Sequence, residues 1–187
     1  MKIIGGKLKG RNFYMPKDIR PTQSVARKAI FDILGQNLDG LSFIDLFAGS
    51  GAVGLEAISH NAARVWFVEK ELKHAQVIKD NLVTLGIGDG GSFEETHFVI
   101  TSDVFVAIEQ MQRRQLKFDI VFADPPFGRD LAKKALKTLG AYDIVHPSCY
   151  IIIQHHKREI LPEGEGRFVL VKRKKYGLSN ISIYEGE

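Results

Sequence analysis

Asp124-Pro125-Pro126-Phe127 brings a carboxylate, two consecutive prolines and an aromatic ring together within one short turn. Proline fixes φ at about −65° and has no N–H, so the turn is stiff and the carbonyls of Asp124 and Pro125 stay open to donors from outside. An acceptor-rich, donor-poor rim of this kind suits an exocyclic amino group on a planar base, and Phe127 offers a face on which the ring can stack. Asp124, Pro125 and Phe127 are therefore the candidate catalytic residues. The apolar residues before them, Phe118, Ile120, Val121, Phe122 and Ala123, read as a strand buried on both faces of a parallel sheet.

A second constellation runs from Asp45 through Phe47-Ala48-Gly49-Ser50-Gly51 to Gly54. Glycines 49, 51 and 54 satisfy G-x-G-x-x-G between a predicted strand and a predicted helix, where they permit a tight turn and let a ligand touch the backbone. Glu69, 15 residues beyond Gly54 at the end of the second predicted strand, is placed to accept from ribose hydroxyls. NAD and S-adenosylmethionine both satisfy these features. Two acids separate them. Asp45 would repel a dinucleotide pyrophosphate but can sit near a cationic methionine amino group, and Asp103, after the third predicted strand, can accept from an adenine amino group. An acid after each of the first four strands (Asp45, Glu69, Asp103, Asp124) suits a sulfonium ligand better than an anion. The candidate cofactor residues are Asp45, Ala48, Gly49, Gly51, Glu69, Lys70, Asp103 and Val104.

Other reactive residues carry less. His155 and His156 are adjacent, so on a strand they point to opposite faces, and no Cys or third His is spaced to complete a metal site. Ser50 lies inside the glycine turn with no His positioned by the sequence to activate it. Cys149 sits in an apolar run and reads as a buried structural thiol.

These residues need a scaffold, and the pattern supplies one. From Leu41 onward strands and helices alternate, the signature of a doubly wound α/β sheet. Strands are predicted at about 42–47, 64–69, 97–101, 118–123, 149–154, 167–174 and 180–185, with helices at about 52–60, 71–85, 103–114 and 130–140. The last two strands follow one another through Lys174-Lys175-Tyr176-Gly177 without a helix, so the sheet should finish in an antiparallel hairpin. Gly86 to Gly91 and Glu163 to Gly166 read as flexible linkers. Upstream, Thr22 is a candidate N-cap for a helix with the stripe Val25, Ala29, Ile30, Ile33, Leu34, ending near Gly35.

The 187 residues fit one domain with a short extension, 44% hydrophobic and 26% charged, and no apolar run approaches the ~20 residues that span a membrane. The N-terminus lacks the apolar core of a secretory signal, which points to the cytoplasm. Charge is unevenly spread. Residues 1–28 hold eight Lys or Arg against Asp18 alone, so this arm carries +7 and the remainder −3 of the net +4. A basic arm on a slightly acidic body implies a polyanionic partner. Its opening, Lys2-Ile3-Ile4 and Arg11-Asn12-Phe13-Tyr14 about a Gly/Lys turn, reads as a basic hairpin over residues 1–19 ahead of a single domain at 20–187. Lys7, Lys9, Arg11 and Arg20 are the candidate contacts to the phosphates of that partner, and to RNA phosphates if the partner is RNA.

With D-x-F-x-G-x-G, D-P-P-F, Arg20-Pro21-Thr22, the KIIGGKLKG opening and Tyr176-Gly177-Leu178 in place, the whole chain resembles the RsmD family of bacterial 16S ribosomal RNA guanine-N2 methyltransferases. The resemblance implies a class I, Rossmann-like fold with a seven-stranded, mostly parallel sheet whose last strand is antiparallel. It further implies S-adenosylmethionine as cofactor, no metal, and 16S rRNA as partner, free or in an assembled or partly assembled small subunit. The chain departs from the family pattern at Phe127 (often Tyr), at Ser24-Val25 and at Gln154, where the family has Glu before His155. An adenine-N6 methyltransferase acting on DNA or RNA and a catalytically silent RNA-binding module are the competing readings.

Overall fold

The computed structural model describes residues 1–19, 22–87, 96–128 and 130–187. Within them the predicted alternation is present: α1 (Ser24–Ile33), β1 (Ser42–Leu46), α2 (Ala52–Ser59), β2 (Arg64–Glu69), α3 (Leu72–Thr84), β3 (His97–Thr101), α4 (Val104–Arg113), β4 (Phe118–Ala123), α5 (Leu131–Ala141), β5 (Val145–His156), β6 (Gly164–Glu165), β7 (Phe168–Tyr176) and β8 (Ser179–Gly186). Part of the Gly86 to Gly91 linker lies outside the described residues.

The sheet order is β3-β2-β1-β4-β5-β8-β7-β6. β1 to β5 are mutually parallel, and β8 runs antiparallel between β5 and β7. Parallel strands joined by crossover helices must be covered on both faces, which is why their residues are apolar almost without interruption. One face carries α1, α2 and α3, packed through Ile30, Phe31, Leu55, Ile58 and Ile78 onto Phe43, Phe67 and Phe122. The other carries α4 and α5, packed through Ile108, Met111, Leu136 and Leu139 onto Ile44, Val68, Phe118 and Val121. Order reverses between β1 and β4, and at such a switch point the two following loops splay apart and leave a crevice outside the strand ends. Asp45 near the end of β1 and Asp124 just past β4 both come to that crevice.

Three expectations are corrected. The sheet has eight strands and not seven: Glu163 to Gly166, expected as a linker, contains β6, which pairs Gly164 with Val169 and Glu165 with Phe168. Gly166 at φ 59° turns the chain back, and the ladder is a backbone event, invisible to hydrophobic periodicity in a two-residue strand. β5 begins at Val145, before a pairing shift near Ser148 (φ 59°). Thr22 does not cap α1; Gln23 occupies that position without a side-chain bond, and the Thr22 hydroxyl is used elsewhere.

Residues 1–14 form a hairpin through the Lys2–Asn12 bridge, and its apolar side is part of the main core: Ile3 and Phe13 are buried with α1 and α2. The attachment is polar as well. Glu56 accepts from Ile4 N (2.8 Å) and Gly5 N (3.3 Å) and pairs with Arg27 Nη1 (3.0 Å), while Arg27 Nη2 donates to Lys2 O. Cys149 is buried, and burial pushes its thiol up. No helix of the described residues is long and apolar enough to cross a membrane.

Candidate active site

The switch-point crevice is a cavity of about 790 Å³. The loop after β1 contributes Ala48 and Gly49, with Asp45 from the strand itself; β2 contributes Glu69, followed by Lys70; the turn into α4 contributes Asp103 and Val104. Asp124, Pro125 and Phe127 form the wall after β4. Gly51 is the one predicted cofactor residue absent from the lining. It sits behind the loop in the left-handed conformation (φ 79°) as the N-cap of α2, where a Cβ would stand 3.2 Å from both Ile78 and Phe67.

The acids build the loop as well as facing the cavity. Asp45 Oδ2 accepts from Gly54 N at 2.9 Å, which ties the end of β1 to the first turn of α2. Glu69 accepts from Gly49 N (2.7 Å) through one oxygen and from Glu71 N (2.9 Å) through the other. Asp103 caps α4, accepting from Phe105 N at 2.9 Å. Each carboxylate oxygen has a second lone pair, so these bonds orient the groups without using up their acceptor capacity. Burial holds the Asp45 carboxyl well above the usual range, and the nearby charges of Asp124 and Glu69 push it the same way, against the pull of Gly54 N–H. Acids thus crowd one wall of the cavity, and their mutual repulsion disfavours charge on Asp45.

On the opposite wall, Pro125 is buried and Phe127 half-buried, its ring meeting His156 edge-on at 5.2 Å and 65°. Thr22 Oγ1 donates to Asp124 Oδ2 at 3.2 Å. His155, by contrast, is buried among β-strands with Nε2 2.9 Å from Ser182 Oγ, and burial lowers its pKa.

Several lining residues do not stand out in the sequence. Phe47, at φ 62°, sets its ring against Phe105 (6.3 Å, T-shaped), and Lys134 Nζ lies 3.8 Å from the Phe105 centroid. Met15, Asp18 and Ile19 arrive from the segment after the hairpin. Asp18 is hydrogen-bonded by Lys73 and then His74, which hold its carboxyl at about 2. The signal for Phe47 is its place between Asp45 and Gly49; for the others nothing local distinguishes them.

Of the candidate RNA contacts, Lys7, Lys9 and Arg11 lie apart from this cavity. Lys7 N donates to Ser59 O at 2.7 Å, so the hairpin turn carrying Lys7 and Lys9 sits at the C-terminal end of α2, about 10 Å along the helix from the glycine loop. Arg11 donates to Thr84 O at the end of α3. Arg20 lies outside the described residues. Among the described residues no group of three or more His, Cys, Asp or Glu is arranged to hold a metal ion.

Comparison with known proteins places this geometry in a lineage. The family model described as Conserved hypothetical protein 95 matches residues 1–185. The chain is 31% identical to the ribosomal RNA small subunit methyltransferase D of Haemophilus influenzae over 99% of this chain and 93% of that protein. A hypothetical protein of Thermus thermophilus superposes with a TM-score of 0.82 at 30% identity, over 98% of each chain. An RNA methyltransferase from Salinibacter ruber, solved with S-adenosyl-L-homocysteine, shares the fold at a TM-score of 0.66 and 13% identity, over 89% of this chain and 93% of that one.

Proposed function

This chain belongs to the family described as Conserved hypothetical protein 95, the RsmD family, and on that premise we propose that it methylates the exocyclic N2 amino group of a guanine in 16S rRNA. The observation that carries the proposal is one cavity with two walls: an oriented glycine turn among buried acids on one side, and Asp124-Pro125-Pro126-Phe127 on the other.

The residues fit S-adenosylmethionine. Asp45 lies where a positive charge relieves carboxylate repulsion, Glu69 is held at the end of β2 for ribose hydroxyls, and Asp103 stands at the start of α4 for the adenine amino group. Ala48, Gly49, Lys70 and Val104 complete that half. The cofactor supplies an electrophilic methyl on a sulfonium. The chain has to make the amine a nucleophile, because its lone pair is delocalised into the base. In the proposed arrangement Asp124 and the Pro125 carbonyl accept the two N–H bonds and Phe127 stacks on the extruded ring. Acceptors aimed at both hydrogens favour a tetrahedral nitrogen and the positive charge that grows there, so they act more strongly in the transition state than in the ground state. The proton then passes to a carboxylate or water. An rRNA substrate goes with a cytoplasmic location.

Methyl transfer from labelled cofactor to transcribed 16S rRNA and, in parallel, to small ribosomal subunits, followed by nucleoside mass analysis, tests this reading. N2-methylguanosine is expected. N6-methyladenosine would favour the adenine reading, and cofactor binding without transfer to either substrate would favour a silent module.

A further inference from the structure

The end of β7 is the run Lys172-Arg173-Lys174-Lys175, directly before the turn Tyr176-Gly177-Leu178-Ser179. Register fixes where that turn stands. Lys175 pairs with Asn180, which pairs with His155; Tyr176 pairs with Ser179, which pairs with His156; and Lys157 N donates to Leu178 O at 2.9 Å. His156 in turn meets the Phe127 ring, so the hairpin tip and the Lys157-Arg158 turn flank the wall on which the base is to stack. Not all the charge there is available. Arg173 donates to Ser182 Oγ and Leu161 O, and Glu159 accepts from Lys133 N. Lys157, Arg158 and Lys175 are exposed and, among the described residues, form no ion pair.

We infer that Lys157, Arg158 and Lys175 form a rim that binds RNA phosphates at the mouth of the cavity and so delivers the base to Asp124 and Phe127. The inference rests on the rRNA reading above. Charge complementarity assigns the division of labour. The cavity is lined by Glu69, Asp103 and Asp124, which repel a phosphodiester backbone, so of the RNA only a neutral base can enter while the backbone is held outside by cations. The hairpin turn with Lys7 and Lys9 sits at the far end of α2 and cannot hold the nucleotide beside the one being flipped. A cation next to the Phe127 wall can.

The test compares Lys157→Gln/Arg158→Gln/Lys175→Gln with the wild type, using transcribed 16S rRNA as the probe. Filter binding between about 50 and 200 mM salt should show affinity weakened about tenfold and a salt slope smaller by about two. Calorimetric binding of S-adenosylmethionine should be unchanged. If the triple variant fails to bind cofactor, Arg158→Gln alone carries the test, with a slope smaller by about one. Wild-type affinity and slope in a folded variant overturn the inference while leaving the methyl-transfer reading intact. Wild-type protein that binds rRNA through this rim yet transfers no methyl to free rRNA or to small ribosomal subunits overturns the reading and leaves the rim. Wild-type protein with no salt-dependent rRNA binding removes both.

Discussion

The Thr22 hydroxyl donates to Asp124 Oδ2 at 3.2 Å across 102 residues of sequence, and Thr22 is buried. A carboxylate held at one oxygen has lost a rotational freedom that the transition state would otherwise have to remove. Thr22→Val keeps the shape and deletes the donor, so the single-turnover rate at saturating RNA should fall about 10- to 100-fold, with Thr22→Ser largely restoring it. An unchanged rate in Thr22→Val would confine Thr22 to packing.

Much of this site is legible in the chain and some of it is not, for identifiable reasons. Asp45 and Glu69 stand near the ends of β1 and β2, Asp103 and Asp124 just past β3 and β4, and in a doubly wound sheet strand ends converge, so order along the chain is enough to bring them together. Thr22 reads as a helix cap because capping is a local rule, whereas its partner is distant in sequence. The placement of the basic hairpin at the far end of α2 depends on Glu56 and Ser59, polar residues whose burial in a mostly apolar helix no local pattern reveals. The short β6 has no side-chain period at all.

Asp124→Ala removes one oriented acceptor of the amine. Its kcat should drop about 10²- to 10³-fold with cofactor affinity changed far less, and rapid-quench methyl transfer is the measurement. A wild-type rate would take Asp124 out of the mechanism.

Gly54→Ala tests the packing behind the glycine loop. An added Cβ would lie 2.2 Å from Cε1 of Phe67, a fully buried ring, so ring or helix must shift. Overpacking of this kind costs about 1–3 kcal/mol, and because Asp45 is tied to Gly54 N, cofactor affinity should fall with it. Urea unfolding and calorimetry report the two effects separately.

Glu56→Ala should be among the most destabilising substitutions away from the cavity. Burial already pushes the Glu56 carboxyl up and the Arg27 guanidinium down against their mutual attraction. Removing one partner leaves Arg27 buried without a counter-charge and Ile4 N and Gly5 N without their acceptor, a loss of about 3–5 kcal/mol by chemical denaturation. For the same reason, deleting residues 1–15 should lower stability and not merely trim a tail.

Cofactor binding should expel a proton through Asp45. Its folded pKa lies well above the ordinary 3.8, chiefly from burial, with Asp124 and Glu69 adding to the effect. A raised folded value means that the contribution of this group to stability is present below pH 3.8 and is lost as pH rises through the folded pKa. A cationic ligand beside the carboxyl favours its charged form and lowers that pKa, so the complex holds fewer protons than the free protein. Affinity for S-adenosylmethionine should therefore tighten as pH rises through the unliganded Asp45 titration and then level off. Titration calorimetry in buffers of differing ionisation enthalpy would read the release directly, and Asp45→Asn should abolish it, because the amide oxygen can still accept from Gly54 N while carrying no titratable proton. An anionic dinucleotide would reverse the sign, drawing a proton onto the cavity acids. Proton uptake, or the same release in Asp45→Asn, would show that Asp45 does not meet the cofactor's positive charge.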